Sequence, residues 1–248
     1  MSANPKNNTP DELLKKGLSE LGFSCSDAQI DAFRTLLSEL KKWNKTYNLT
    51  ALKTDEDIII KHFLDSLLYL KAIDPRIPLT LTLSHKGRGN SLTFPPPLMG
   101  GGEGEGESSY SFNLCDVGTG AGFPGIPIKI IRPEIKITLV ESSRKKTAFL
   151  RHIIRLFKLE TISVLEQRVE NLGAEYGKAF DIIVSRATFK TNDFLKKACP
   201  FVKDNGILVL SKGPGASEEI KGITAVQKIL KLKLPLAGDE RNLIILKC

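Results

Sequence analysis

Apolar residues recur at three- and four-residue spacing through the first part of the chain. Ile30, Phe33, Leu36, Leu37, Leu40 and Trp43 fall on one face of a helix, and a face of that width has to be buried. The helical stretches open on start signals. Thr9-Pro10-Asp11-Glu12 is a capping box with Pro at the first helical position, Gly22 stops the helix it opens, and Ser26-Asp27-Ala28-Gln29 is a second box. A third helix is expected from the cap Thr54 through Asp55-Glu56-Asp57. Its apolar side is Ile58, Ile59, Phe63, Leu67, Leu68 and Leu70, and Pro75 and Pro78 end it.

From Ser111 onward the pattern changes to short β-branched runs alternating with helical segments, the order of an α/β doubly wound, Rossmann-like sheet. Strands are expected at Phe112 to Val117, Ile135 to Val140, Ile162 to Leu165, Phe180 to Val184, Gly206 to Leu210 and Leu243 to Leu246. Helices are expected at Gly125 to Ile131, Ser143 to Phe157, Val169 to Glu175, Asp193 to Val202 and around Glu218 to Gly222. Residues 223 to 234 offer a further strand, although their lysines blur the period. The chain therefore divides into a helical extension (1–78), an insertion (79–112) and a sheet domain (113–248) that forms one unit with the extension. The insertion runs through Pro95-Pro96-Pro97 and Gly100-Gly101-Gly102 into alternating Gly and Glu. It has no periodic face to pack and reads as disordered. Deleting residues 82 to 108 is expected to leave ligand affinity within a few-fold.

Composition narrows the class. Hydrophobic residues make up 41% of 248, as in ordinary globular domains. No apolar run reaches the ~18 residues of a membrane span, and no hydrophobic signal opens the chain, so a cytoplasmic protein without a membrane partner is expected. Cys25, Cys115, Cys199 and Cys248 lie 90, 84 and 49 residues apart with no CxxC pair, which argues against a disulfide framework and against a metal site. Net charge is +8, and residues 113 to 248 hold 23 basic against 14 acidic side chains. An excess focused on one domain favours a polyanionic partner.

The candidate chemistry sits where the first strand runs into Gly118-Thr119-Gly120-Ala121-Gly122-Phe123-Pro124-Gly125 and a helix follows. Glycines at such a turn let the backbone approach a nucleoside, and the helix start offers free amides. Gly120 to Gly125 also fits GxGxxG, so a nicotinamide dinucleotide competes with S-adenosylmethionine. Asp116, two residues before the loop, would repel a pyrophosphate but suits a ligand that carries an ammonium and a sulfonium. Glu141, ending the next strand, can accept both ribose hydroxyl protons of either cofactor.

Several separated segments together resemble the bacterial small-subunit rRNA guanine-N7 methyltransferases, the RsmG or GidB family. They are Trp43 to Thr50, His62-Phe63-Leu64-Asp65-Ser66, Asp116 to Pro127, Ser185-Arg186-Ala187, Lys212-Gly213 and Glu240-Arg241-Asn242-Leu243. The insertion departs from that family, whose connection at this point is short. The resemblance implies a class I methyltransferase sheet, mostly parallel with an antiparallel last strand, preceded by a helical extension. It implies S-adenosylmethionine as cofactor and S-adenosylhomocysteine as product, 16S rRNA or the small ribosomal subunit as partner, and no metal; a monomer is expected. Gly118, Phe123, Val169, Glu170 and Arg186 are the cofactor contacts it implies, to which the residues themselves add Asp116, Gly120 and Glu141.

Two absences bear on the target atom. The loop after the fourth strand, Ser185-Arg186-Ala187, is not the Asn/Asp-Pro-Pro-aromatic loop common in amine methylation, and no cysteine nucleophile stands there for carbon methylation. Guanine N7 needs neither device. His62 and Asp65 are candidates for positioning the substrate, though a paired polar helix face accounts for them as well. Asp65 or Glu141 is a candidate carboxylate for guanine N1 and N2, and Arg186 for a cofactor contact, a phosphate clamp, or pairing with Asp181 or Glu141. Tyr47, Arg144, Lys145, Lys146, Lys212 and Arg241 are candidate RNA contacts; Arg144 to Lys158 is basic with no acid in the run, and a solubilising helix face explains it equally. The rivals are a NAD(P)-dependent oxidoreductase, a noncatalytic RNA-binding protein on this scaffold, and a methyltransferase for proteins or small molecules.

Overall fold

The computed structural model describes residues 9–73, 112–186 and 189–248. The expected ends of the third helix at Pro75 and Pro78, and nearly all of the expected insertion, lie outside the described residues. Both expected capping boxes form: Thr9 and Ser26 each receive the amide three residues on and donate their own to Glu12 and Gln29. They open α1 (Pro10–Glu20) and α2 (Asp27–Tyr47).

The third helix departs from the expected continuous run. It begins as α3 (Asp55–Ile58), widens into a π-turn over Ile59–Leu64, returns as α4 (Asp65–Leu67) and resumes as α5 (Leu70–Ile73). Hydrophobic spacing does not register a widened turn, which adds a residue without moving the buried side. Here Ser66 Oγ donates to the His62 carbonyl at 2.5 Å, tying down a backbone acceptor within the widened segment. Such turns cluster at functional sites, and this one carries His62.

The sheet is built from β1 (Asn113–Val117), β2 (Lys136–Val140), β3 (Ile162–Leu165), β4 (Phe180–Arg186), β5 (Val202–Lys212), β6 (Val226–Lys233) and β7 (Glu240–Leu246), in spatial order β3-β2-β1-β4-β5-β7-β6. All pairs are parallel except the two that β7 makes, with β5 and with β6. This is the doubly wound sheet with an antiparallel last strand. The chain reverses beside β1, so the ligand crevice belongs at the C-terminal ends of β1, β2 and β4. The Lys-rich stretch is strand β6, on the sheet edge, where exposed Lys228, Lys231 and Lys233 discourage further pairing.

Connections are α6 (Gly125–Ile131), α7 (Arg144–Leu156), α8 (Thr191–Ala198) and α9 (Ala216–Glu219). The helix expected over Val169 to Glu175 is instead two separate 3₁₀ turns, Val169–Asn171 and Ala174–Tyr176. The segment is too short to repay helix nucleation, and Leu172 and Gly173 are extended between the turns. The helix expected to reach Val202 ends at Ala198 and passes into a 3₁₀ turn, since Pro200 has no amide to continue the ladder.

Two cores result. One buries α1, α2 and the π-turn segment together with α6, α7 and the near face of the sheet, through residues such as Leu36, Phe63, Ile126 and Phe149. The other packs α8 and α9 against the opposite face through Phe194, Ala198 and Leu208. The helical extension is thus part of the main core, and Tyr69, fully buried, donates its hydroxyl to the Ser185 carbonyl at 2.7 Å. Buried Lys129 donates to the carbonyls of Pro133 and Ile135 and to Thr161 Oγ1 at 2.6 to 2.7 Å, and burial pulls its pKa down to about 8. The expectation against disulfides is corrected: Cys199 and Cys248 are bonded. Spacing alone hid the pair, because β7 carries the chain back alongside β5 and so returns residue 248 towards the end of α8.

Candidate cofactor and substrate site

Two cavities open at the C-terminal edge of the sheet. The larger, about 380 Å³, lies between the ends of β1, β2 and the turn after β3; Gly118, Glu141, Val169 and Glu170 line it, with Phe189 and Lys197 from the α8 side. The smaller, about 170 Å³, is bounded by the glycine loop, Phe123, Thr50, His62 and Arg186. Gly118 and Lys146 belong to both linings.

The loop geometry explains its glycines. Gly120 has φ +63°, a left-handed conformation, and faces open space where a Cβ would stand. At Gly125 a Cβ would meet Leu139 Cδ2 at 2.3 Å and Asp116 Oδ2 at 3.0 Å, so only glycine allows the loop to close over the strand. Asp116 holds that closure. Its Oδ2 accepts from Thr119 Oγ1 at 2.6 Å and from the Gly125 amide at 2.8 Å, while Oδ1 is buried with no partner among the described residues. Burial raises the Asp116 pKa to about 6, against the lowering effect of those two hydrogen bonds. Asp116, expected to anchor the cofactor directly or through water, is wholly buried, lines neither cavity, and shapes the loop.

Glu141 accepts the Gly120 amide at 3.0 Å and the Ser143 amide at 2.8 Å, one on each oxygen. A carboxylate has lone pairs for two more donors. It lines the larger cavity beside apolar Val117, Val140 and Val169, so a carboxylate for ribose hydroxyls and apolar walls for a base stand together. These residues fit the adenosyl part of S-adenosylmethionine.

The smaller cavity is organised around the Phe123 ring. His62 stacks on it at 4.4 Å, and the Arg186 guanidinium lies over it at 5.4 Å. Arg186 donates to the Lys61 carbonyl at 3.1 Å and contacts His62 Nδ1 at 3.0 Å, while His62 Nε2 meets Thr50 Oγ1 at 2.7 Å. Burial, then the Arg186 charge, pushes the His62 pKa down to about 3, so the ring is neutral. Since guanidinium only donates, Nδ1 accepts and Nε2–H donates to Thr50.

Asp65 lines neither cavity. It meets Arg186 at 3.5 Å and accepts from Arg241 Nε at 2.8 Å. Arg186 pairs with neither Asp181 nor Glu141; Asp181 is held by Lys203 at 2.8 Å and by the Asn113 amide. Several expected RNA contacts are likewise occupied elsewhere. Lys212 donates to the Phe189 carbonyl at 2.6 Å and pairs with Glu219 at 3.0 Å. Arg144 and Arg151 both reach Glu166, and His152 reaches Glu39. Tyr47 is exposed and leans on half-buried Trp43, lining neither cavity. Sequence reasoning missed Thr50, Phe189 and Lys197. Thr50 closes a quoted motif, but nothing local marks it as the partner of His62.

The GidB family model, rRNA small subunit methyltransferase G, matches residues 29–78 and 105–244. The chain belongs to this family. A ribosomal RNA small subunit methyltransferase G from a Geobacter species is 35% identical over 243 residues, covering 95% of this chain and 96% of that one. The protein of the same name from Geotalea uraniireducens is 33% identical over 249 residues, covering 97% and 98%. Among solved structures, a precorrin-6y C5,15-methyltransferase from Geobacter metallireducens aligns with TM-score 0.44 and 14% identity, over 56% of this chain and 81% of that one. Membership makes the chain a methyltransferase that depends on S-adenosylmethionine and removes the oxidoreductase reading. The matched blocks pass over residues 79–104, most of the stretch read from sequence as an insertion. No helix among the described residues is long and apolar enough to cross a membrane, and no group of acidic, His or Cys side chains among them is arranged to hold a metal.

Proposed function

We propose that this methyltransferase acts on N7 of a guanine in 16S rRNA, on the small subunit or a particle on the way to it, as a cytoplasmic monomer. One observation carries the choice of atom: among the described residues, the smaller cavity offers no group to take a proton. No carboxylate and no cysteine among the described residues lines it, and both nitrogens of its imidazole are engaged, with Arg186 and with Thr50. An exocyclic amine gives up a proton on methylation, whereas the N7 lone pair of neutral guanine is free. Transfer then needs position and the exclusion of water.

Bound S-adenosylmethionine supplies the methyl group as a substituent of a sulfonium. Glu141 takes the ribose hydroxyls, Val169 walls the adenine, and Gly118 and Gly120 bring the loop backbone close. Phe123, packed by His62 and Arg186, closes the floor of the smaller cavity, and Thr50 is the polar group that meets the base. Asp65 acts through Arg186 and Arg241 as a positioning residue. The surplus charge of the sheet domain draws in the RNA, with exposed Lys145 and Arg155 on α7 at the approach and Tyr47 on its helical flank.

The test incubates the protein with methyl-labelled S-adenosylmethionine and either unmodified 16S rRNA or small subunits, then cleaves the RNA chemically at N7-methylguanosine. Label together with one strong cleavage site is the expected result. Label without cleavage moves the target atom, and no label with the cofactor bound passes the lead to a protein or small-molecule substrate.

A further inference from the structure

Lys146 stands in the first turn of α7, half-buried, and with Gly118 belongs to the linings of both cavities. Most other cations around it have partners. Arg186 is held by the Lys61 carbonyl, His62 and Asp65; Lys197 pairs with Glu170 at 2.6 Å; Arg144 and Arg151 share Glu166. Arg168 lines the larger cavity alone and acts on the charge of Glu170. No hydrogen bond or ion pair holds the Lys146 ammonium among the described residues. Among the described residues it is an unneutralised charge at the junction of the two cavities.

A charge left open at such a junction serves either the carboxylate of the cofactor's amino-acid end or a phosphate of the incoming nucleotide. The surroundings favour the phosphate. α7 continues outward from Lys146 with no acidic residue along its length, and Lys145 and Arg155 on it are exposed. A strand that places one base in the smaller cavity has to lay its backbone across that rim. We infer that Lys146 binds a backbone phosphate adjoining the target guanosine and so sets the depth to which the base enters. Lysine does this as a point charge, without the planar fork that would fix one phosphate orientation.

This inference rests on the rRNA reading above. The experiment compares wild type, Lys146→Ala and Lys146→Arg in full-length protein. It measures S-adenosylmethionine binding by calorimetry, steady-state methylation of unmodified small subunits, and RNA affinity from 50 to 200 mM salt. Lys146→Ala is expected to raise KM for RNA about ten-fold and to leave cofactor Kd within two-fold. It should lower the slope of log K against log salt by about 0.7 to 0.9, the loss of one phosphate contact, and Lys146→Arg should restore most of the affinity. Cofactor Kd rising in step with KM at an unchanged salt slope assigns the lysine to the cofactor carboxylate and overturns the inference. So does an active Lys146→Ala with unaltered KM. Wild type that methylates no RNA overturns the function itself, a result distinct from either.

Discussion

The imidazole of His62 lies flat on the ring of Phe123, with centroids 4.4 Å apart and planes 10° from parallel. The contact joins the helical extension, through its π-turn, to the glycine loop. Arg186, from the end of β4, lies over the same phenyl ring and bonds the same imidazole. Three separate parts of the chain therefore share one platform.

The neutral state of His62 has a pH signature. Its folded pKa of about 3 lies below the ordinary imidazole value of 6.5, so between these values the unfolded chain binds a proton that the folded one refuses, and stability falls as pH drops. Asp116 has the opposite sign. Raised from 3.8 to about 6, it favours the folded state as pH drops through 6 and partly masks the histidine. Relative to wild type, His62→Gln should gain about 2 kcal/mol between pH 7 and pH 5. Urea unfolding at the two pH values measures the difference, and a flat difference would show that the imidazole titrates normally.

Asp65 is buried between two guanidiniums, accepting from Arg241 and facing Arg186. Asp65→Asn leaves both cations short of their counter-charge and is expected to cost about 3 kcal/mol. The double variant Asp65→Asn with Arg241→Gln should cost less than the two losses added. A double-mutant cycle by denaturant unfolding reads this directly, and strict additivity would mean that the pair does not couple.

Glu141 carries two loop amides and retains lone pairs towards the larger cavity. Glu141→Gln turns one acceptor into a donor, and S-adenosylmethionine affinity should fall about ten-fold, near 1.4 kcal/mol. Calorimetry gives the number. An unchanged Kd would place the ribose elsewhere.

The Cys199–Cys248 bond ties the turn after α8 to a cysteine two residues beyond β7, across 49 residues. Cys248→Ser should lower stability by about 2 to 4 kcal/mol under oxidising conditions and make the protein insensitive to added reductant. Thiol titration of the unfolded wild type should find two free thiols, Cys25 and Cys115. Four would show that the bond does not form in solution.

Local chemistry was the readable part. Capping boxes, helix periods and β-branched runs are satisfied by neighbours within a few residues, so α1, α2 and the strands lie where the pattern puts them. The Gly118–Gly125 turn and Glu141 were legible for the same reason, since a strand-to-helix loop announces its own backbone demands. The 3₁₀ turns after β3 were not, because Glu170 suits a first helical turn and gives no sign that the chain extends again at Leu172.

What pairs with what came from long-range packing. Asp116 had the right charge for a cofactor contact, yet the close approach of Gly125 places its carboxyl beneath the loop. Arg186 had two acidic partners in view along the sequence and bonds a third, Asp65, brought alongside it by α4. The same holds for Thr50 with His62 and for Cys199 with Cys248. Helix periods and turn motifs record constraints within a residue's own neighbourhood. A charge or a thiol takes the partner that the folded backbone carries within a few ångströms, and that partner has no fixed distance along the chain.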